Sequence, residues 1–581
     1  MHRLLLPFVS LGCGALAALG FAPLDLWPVT LLATAGLLWL VANARSGWTA
    51  AGHGWLFGTA MFAVSLNWIA TAFTYQSTMD PALGWAAVLG LALYLALFVA
   101  VPAGLAAALA RLPAARMLAL AALWVPAEWL RGIVLTGFSW NPLGAIWVAV
   151  PGVAQMASVI GAIGLSLVTL LCAAGLLWLA LGPGRRWRLA GGGVLIAAVM
   201  AWVVGNARIQ PNEVASARLV IVQPGIGQEL RNDPSSGERI LATYLALTSE
   251  ALTRTETLGR VNLPDANIED VDPGKVAGIE SPLGPLGGTV TEELEIGMDR
   301  GLAAPDAPDF LPGGSAGATS AATRPGGRQP VLVLWPEGAI DGLVERDPAL
   351  LARVAAPLGR GDLLIAGGTG LGSGSTPYAN SLFVIGNEGG GRILGRYDKA
   401  HLVPGGEYLP WRDMLEPLGL ARLVPGDFDF ASGPGPRTLA LPGFLPVSPM
   451  ICYEIIFPGA VVDPAARPGW IANVSNDAWY GPWGPPQHLA QARLRAIEEG
   501  LAVARATPTG VSAVIDGHGQ IIDQIAPGSA GATVTSLPPP LPITPFARGG
   551  HVATFLAALG CLGLALLLGR RGGATRAATA R

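Results

Sequence analysis

Three apolar runs in this chain each lead into an ionisable side chain. VLVLWPEGAI carries Glu337 just past its apolar stretch, GRYDKAHLVPGGEYLP carries Lys399 and Glu407, and SPMICYEIIFPG carries Cys452 with Glu454 two residues on. Strand ends suit such groups, because a rigid sheet fixes the backbone while the side chain faces open space. A free thiol with a pKa of about 8.5 is mostly protonated at neutral pH, so a nucleophilic cysteine needs a base or a cation beside it. Glu337 can accept the proton. Lys399 can stabilise both the thiolate and the oxyanion that forms when a carbonyl is attacked. The competing reading makes Cys452 a small buried apolar side chain. Lysine is used only twice in the chain, at Lys275 and Lys399, which argues against a casual placement here. Glu407 and Glu454 each read either as site acids or as salt-bridge partners.

These groups need strands to hold them, and the chain supplies short β-rich runs only after about residue 217. Expected strands are Leu219–Val222, Val331–Trp335, Leu363–Ala366, Ser381–Ile385, Val447–Ile451, Trp470–Val474 and Val511–Ile515, the last continuing through a turn at Asp516–Gly519 into Gln520–Ile525. Helices are expected at Glu238–Leu252, Pro348–Pro357 and Gln487–Arg505. Wholly apolar strands imply sheets covered on their inner faces. Residues 253–330 are rich in Gly, Pro and Ala, with twelve acidic against six basic side chains and no periodicity. They are expected to be a disordered insertion.

The rest of the chain is far more apolar. Of 581 residues 52% are hydrophobic and 13% charged, and the mean hydropathy is +0.49, which points to a membrane protein. A crossing helix needs roughly 20 apolar residues. Seven candidates lie in residues 1–205, at about 4–22, 26–43, 52–74, 82–110, 116–133, 156–181 and 189–205, and an eighth at about 551–569. Arg3, Arg45, Arg111, Arg116, Arg185, Arg186, Arg188, Arg570 and Arg571 all fall on one side if every segment crosses. The positive-inside rule makes that side cytoplasmic. Residues 206–550 then lie outside the cytoplasm, with 570–581 as a cytoplasmic tail. A net charge of −3 gives no reason to expect nucleic acid as a partner. Cys13, Cys172 and Cys561 fall in apolar stretches, so no disulfide framework is expected. His401, His488 and His518 sit in separate contexts, so no metal site is expected, and no cofactor either.

At Glu337, Lys399 and Cys452 the sequence resembles the nitrilase superfamily, which uses a Glu-Lys-Cys triad on an αββα sandwich. It resembles the apolipoprotein N-acyltransferase family more closely. That likeness is carried by GFAPLDLWP at 20–28, NWIA at 67–70, EWLRGIVLTGFSWNPLG at 128–144, VQPGI at 222–226, SNDAWYG at 475–481, QHLAQARLRAIEEG at 487–500 and TPFARGG at 544–550. The resemblance implies a multi-span helical membrane domain of about eight transmembrane helices plus a nitrilase-like α/β domain outside the cytoplasm, in the inner membrane of a bacterium. It implies Glu337 as general base, Lys399 as oxyanion stabiliser and Cys452 as nucleophile, with Glu407 an additional acid and Tyr453 and Glu454 flanking the thiol. Asn380 falls where the family has a residue near the site, though an ordinary strand asparagine fits as well. The family often carries a Lys-Trp pair where this chain has Arg231-Asn232. The implied partners are a phospholipid acyl donor, a diacylglyceryl apolipoprotein acceptor and the lipid bilayer. Glu128 and Arg131 are costly so near lipid. They read either as lining acyl-chain access and meeting a phosphate or as pairing with each other.

Two other classes compete. A membrane-tethered amidase or nitrilase would use the same residues on a small soluble amide, independently of phospholipid. A non-catalytic envelope binding module would tolerate loss of Cys452.

Overall fold

The computed structural model describes residues 5–75, 80–182, 184–210, 217–258, 329–372, 376–418, 422 and 428–579. The expected insertion falls mostly outside them, although its first residues continue a helix, Gly237–Leu258. The described residues up to Leu258 and from Pro330 onward belong to one compact unit.

Helices occupy all eight apolar segments: Leu6–Ala18, Trp27–Ala42, Gly47–Ser65, Leu83–Leu109, Pro113–Arg131, Ala157–Leu181, Arg185–Arg208 and Val552–Thr579. Among the described residues, three are long and apolar enough to cross a membrane: Leu83–Leu109, Ala157–Leu181 and Arg185–Arg208. Gly47–Ser65 makes a fourth if it counts together with Ile69–Tyr75, to which it is bent by 49°. Leu6–Ala18, Trp27–Ala42 and Val552–Leu568 are apolar but shorter. Only 11% of the most apolar window of Arg185–Arg208 is covered by protein, which leaves Ile196, Val199, Met200 and Val204 facing outward.

Among the described residues, twelve strands form two sheets. In the first, β12 (Gly531–Leu537), β1 (Ala217–Gln223), β2 (Val331–Leu334), β3 (Leu363–Leu371), β4 (Tyr378–Gly386) and β5 (Arg392–Asp398) lie in that order, and the short β6 (Phe430–Ala431) also pairs with β4. The second runs β11 (Ile521–Ile525), β10 (Ser512–Ile515), β9 (Ala502–Ala506), β8 (Trp470–Val474) and β7 (Val447–Ile451). Strands β1, β2 and β3 are parallel to one another, as are β7, β8 and β9.

The two sheets face each other through Leu219, Ile221, Leu334, Ile365 and Val384 on one side and Ile451, Trp470, Ala472, Ala504 and Val514 on the other. Alternate residues explain the second face of each sheet, since a strand sends successive side chains to opposite sides. Val220, Val333 and Trp335 pack outward against Tyr244 and Leu247 of the Gly237–Leu258 helix. Met450, Ile471, Val503 and Ala513 pack outward against Leu489, Ala492 and Ala496 of a helix at Gly484–Glu499. The architecture is an αββα sandwich. Its second outer helix is covered again on its far side, because the same apolar core continues into Leu37, Phe57, Met61, Trp140 and Leu165 of the helical region.

One sequence expectation is corrected here. The helix expected at Gln487–Arg505 stops at Glu499, and Ala502–Ala506 is the central strand of the second sheet. Gly500, at φ +66°, supplies the left-handed turn that ends the helix. Strand β5 is the run implied before Lys399 but given no bounds from the sequence, and β6 and β12 match none of the expected strands.

Candidate active site

Cys452 opens a short 3₁₀ turn, Cys452–Ile456, directly after β7. Its φ is +52°, a left-handed conformation that costs a non-glycine residue about 1 kcal/mol or more. Glu454 holds this turn in place. One of its oxygens accepts from the Ile451 backbone N–H at 2.8 Å, and the other accepts from the Tyr397 hydroxyl at 2.7 Å and the Ala400 and His401 backbone N–H groups at 2.8 and 3.1 Å. This one buried carboxylate therefore joins the nucleophile's turn to the end of β5, where Lys399 sits.

Lys399 is 1% exposed, so its ammonium depends on protein partners for solvation. It donates to Glu337 Oε1 at 3.3 Å and to Glu407 Oε1 at 3.0 Å. Burial pulls its pKa down, but the charges of Glu337 and Glu407 outweigh burial and hold it above the usual lysine value. Asn380, on β4, donates to the same two carboxylate oxygens, each at 2.7 Å. The remaining oxygens are also satisfied: Glu337 Oε2 accepts from the Asn476 backbone at 2.8 Å, and Glu407 Oε2 from the Val403 backbone at 2.8 Å. The chain beyond β2 stays alongside β3, the Pro336 carbonyl accepting from the Gly367 N–H at 3.1 Å and the Ile340 N–H donating to the Gly367 carbonyl at 3.0 Å, and Glu337 sits between these contacts next to Gly338, whose φ is +61°.

Cys452 is 4% exposed. Burial, followed by the negative charge of Glu337, pushes its thiol up to about 12, while Lys399 pulls it down. The resting group is thus a thiol that requires a base. Behind it lies a network that the sequence reading did not anticipate. His488 Nε2 meets the backbone carbonyl of Cys452 at 3.1 Å, and its Nδ1 lies 3.0 Å from Asp477 and 3.1 Å from Arg505. Since a carbonyl only accepts, Nε2 carries the proton in that contact. Arg505 also bonds Asp477 and Asn473. Although burial alone would raise the Asp477 carboxyl, Arg505 and His488 hold it well below its usual range. This network clamps the strained backbone at the nucleophile. Cys452, Asp477 and His488 offer possible ligand atoms within 4.8 Å of one another, but Asp477 is already engaged by Arg505, His488 and Ser475, and a guanidinium at that point opposes a metal cation.

The helical region reaches this site directly. Tyr453 donates to the carbonyl of Gly137 at 2.9 Å, and His401 lies 2.5 Å from the carbonyl of Thr136. Leu135, Thr136 and Gly137 all have positive φ, and Ile133, Val134 and Leu135 point their apolar side chains outward. A cavity of about 620 Å³ lies beside this loop, lined by Thr136, Ala400, His401, Leu402, Tyr408 and Phe430 among others. Arg231 donates to the carbonyl of Gly338, next to Glu337, and Asn232 to the carbonyl of Tyr75 at 3.2 Å.

The structure therefore brings Glu337, Lys399, Glu407 and Asn380 into one hydrogen-bonded group, with Cys452, Tyr453 and Glu454 on the adjoining turn. The hydrogen bonds of Glu128 and Arg131 go to other residues, although Arg131 is near enough to Tyr453 for its charge to act on that side chain. Glu128 and Arg131 are both buried and 3.8 Å from each other. Glu128 accepts from the Leu143 backbone and Ser166, while Arg131 donates to the Phe138 and Trp140 carbonyls. They hold the 138–143 loop, which favours the pairing interpretation over lipid contact.

Comparison with known proteins adds independent findings. The sequence profile described as "Apolipoprotein N-acyltransferase N-terminal domain" matches residues 13–175, and that of "Carbon-nitrogen hydrolase" matches residues 314–540. An apolipoprotein N-acyltransferase of Rhodopseudomonas palustris is 34% identical, over 95% of this chain and 93% of its own. One of Bradyrhizobium diazoefficiens is 33% identical over the same shares. Among solved structures, a CN-hydrolase superfamily protein of Xanthomonas campestris aligns with 39% of this chain and 83% of its own, at 22% identity and a TM-score of 0.26.

Proposed function

The chain belongs to the apolipoprotein N-acyltransferase family, and from that membership we propose that it N-acylates lipoproteins through a thioester on Cys452. The observation that carries the mechanism is the buried Lys399 shared by Glu337 and Glu407 at the end of β5, which Glu454 ties to the turn bearing the buried Cys452.

Glu337 takes the proton of Cys452 as the sulfur attacks an ester carbonyl of a phospholipid, and Lys399 stabilises the oxyanion. The ester C–O bond then breaks, the leaving oxygen receives the proton from Glu337, and lysophospholipid departs. In the second half the α-amino group of a diacylglyceryl-cysteine attacks the thioester and gives a proton to Glu337. The C–S bond breaks, an amide remains, and the thiolate recovers its proton. Glu407 and Asn380 keep Lys399 charged and Glu337 oriented throughout. Water has to be kept from the thioester, and the burial of Cys452 suits that need.

Both substrates are lipids, which gives the helical region its purpose. Eight membrane-spanning helices, with the arginine-rich turns in the cytoplasm, would set the sandwich on the outer face of a bacterial inner membrane. The outward-facing Ile133, Val134 and Leu135 would then meet the bilayer next to the cavity.

Intact-protein mass of the detergent-purified full chain, incubated with phospholipid and no acceptor, tests this. A gain of one fatty acyl group, released by hydroxylamine and missing in Cys452→Ala, is expected. Bound lipid without any adduct would refute the mechanism and favour hydrolysis of a soluble amide.

A further inference from the structure

The segment SNDAWYG supplies more than Asp477. Its tyrosine, Tyr480, places its hydroxyl 3.3 Å from the sulfur of Cys452. The ring is gripped from the helical region, by Trp68 at 4.6 Å and Trp140 at 5.9 Å between ring centres. Trp68 follows the Gly47–Ser65 helix, and Trp140 is fixed in turn by a 2.8 Å bond from its indole N–H to Gln487. A hydroxyl held this firmly against a sulfur that is only 4% exposed occupies the place where water would otherwise solvate a thiolate.

Resting on the acyl-transfer mechanism above, we infer that Tyr480 is a further catalytic residue, whose O–H donates a hydrogen bond to the sulfur of Cys452 whenever that sulfur is a thiolate. This happens twice per cycle: when Glu337 removes the thiol proton before attack on the ester, and when the amine expels the sulfur from the thioester. The phenol keeps its proton in both steps, so the proton balance of the cycle is unchanged. Burial, reinforced by the neighbouring Cys452 and Asp477, raises the Tyr480 pKa well above its ordinary value, in keeping with a permanent donor. The assignment also gives the aromatic clamp a chemical purpose, since Trp68 and Trp140 set the position of a hydroxyl that touches the reacting atom.

Tyr480→Phe in the full-length protein is the test, because phenylalanine keeps the ring between the tryptophans and removes only the hydroxyl. Single-turnover acyl-enzyme formation, followed by intact mass, should slow by about tenfold to a hundredfold, as expected for losing a hydrogen bond to a charged group. Discharge of the thioester by an amine acceptor should slow as well, with the melting temperature and the KM for phospholipid unchanged. Introducing 3-fluorotyrosine, a slightly stronger donor of nearly the same shape, should keep or raise the wild-type rate. Wild-type rates in Tyr480→Phe, or a loss that simply follows a fall in melting temperature, would overturn the inference. If the wild-type protein itself forms no adduct, the acyl-transfer mechanism fails. If it does and Tyr480→Phe matches it, only the role of Tyr480 fails.

Discussion

At the scale of single residues, Glu337 acts on Cys452 in two opposing ways. As a base it takes the thiol proton during the reaction, but as a buried negative charge it helps keep that proton in place beforehand. A thiol raised to about 12 has far less thiolate at neutral pH than free cysteine, so labelling of resting Cys452 with iodoacetamide should keep rising with pH beyond the point where a free thiol levels off. Glu337→Gln removes the opposing charge, which lowers the thiol pKa. It should therefore speed labelling at a given pH while cutting acyl transfer by about a hundredfold or more. Parallel labelling and transfer assays check this, and slower labelling or retained transfer would contradict the assignment. Glu337 and Cys452 stood out in the sequence because each follows an apolar run in a distinctive local setting, and Lys399 because lysine is so rare in this chain. Asp477, His488 and Arg505 carried no comparable signal. They sit in three separate elements, and only the packing of the Gly484–Glu499 helix on the second sheet brings them behind the nucleophile.

At the scale of elements, the sequence was most readable where apolar periodicity was long. Helices form at all eight apolar segments, and every expected strand has a counterpart. The failure at Gln487–Arg505 has a plain cause. Ala502–Ala506 reads AVARA, short and alanine-rich, and only Gly500-Leu501 separates it from the helix before it. Its strand state comes from pairing between β8 and β10, an interaction absent from its own residues. Gly161 is a second case in which the backbone departs from a continuous apolar pattern. It sits near the start of the Ala157–Leu181 helix with φ +64° and ψ 176°, and a Cβ there would lie 2.4 Å from the ring of Phe546. Gly161→Ala should cost about 2–4 kcal/mol by combining backbone strain with overpacking. Thermal unfolding in detergent measures it, and an unchanged melting temperature would show that the helix can straighten and that Phe546 can yield.

At the scale of the whole molecule, the Gly484–Glu499 helix belongs to two structures at once. Gln487 shows how tightly it joins them: its carbonyl accepts from Trp140 and Asn141 at 2.8 and 2.9 Å, and its amide donates to the Ser65 carbonyl at 3.1 Å. Gln487→Ala leaves those buried groups unpaired, at about 1–3 kcal/mol for each group that finds no new partner. Acyl-enzyme formation should fall together with the melting temperature, because the same tryptophan steadies Tyr480; a stable variant with wild-type activity would refute the linkage. The topology of the first sheet also bears on how the protein is made. Strand β1 pairs with β12 along its whole length, from Ala217 with Leu537 to Gln223 with Gly531, although some three hundred residues separate them in the chain. During synthesis β1 emerges early and keeps one edge bare until nearly all of the remaining chain has followed. Glu337 stands on the sheet that this late pairing completes, while Cys452 stands on the other. The sheet that bears Glu337 therefore cannot complete its β1 edge until residues 531–537 have been made.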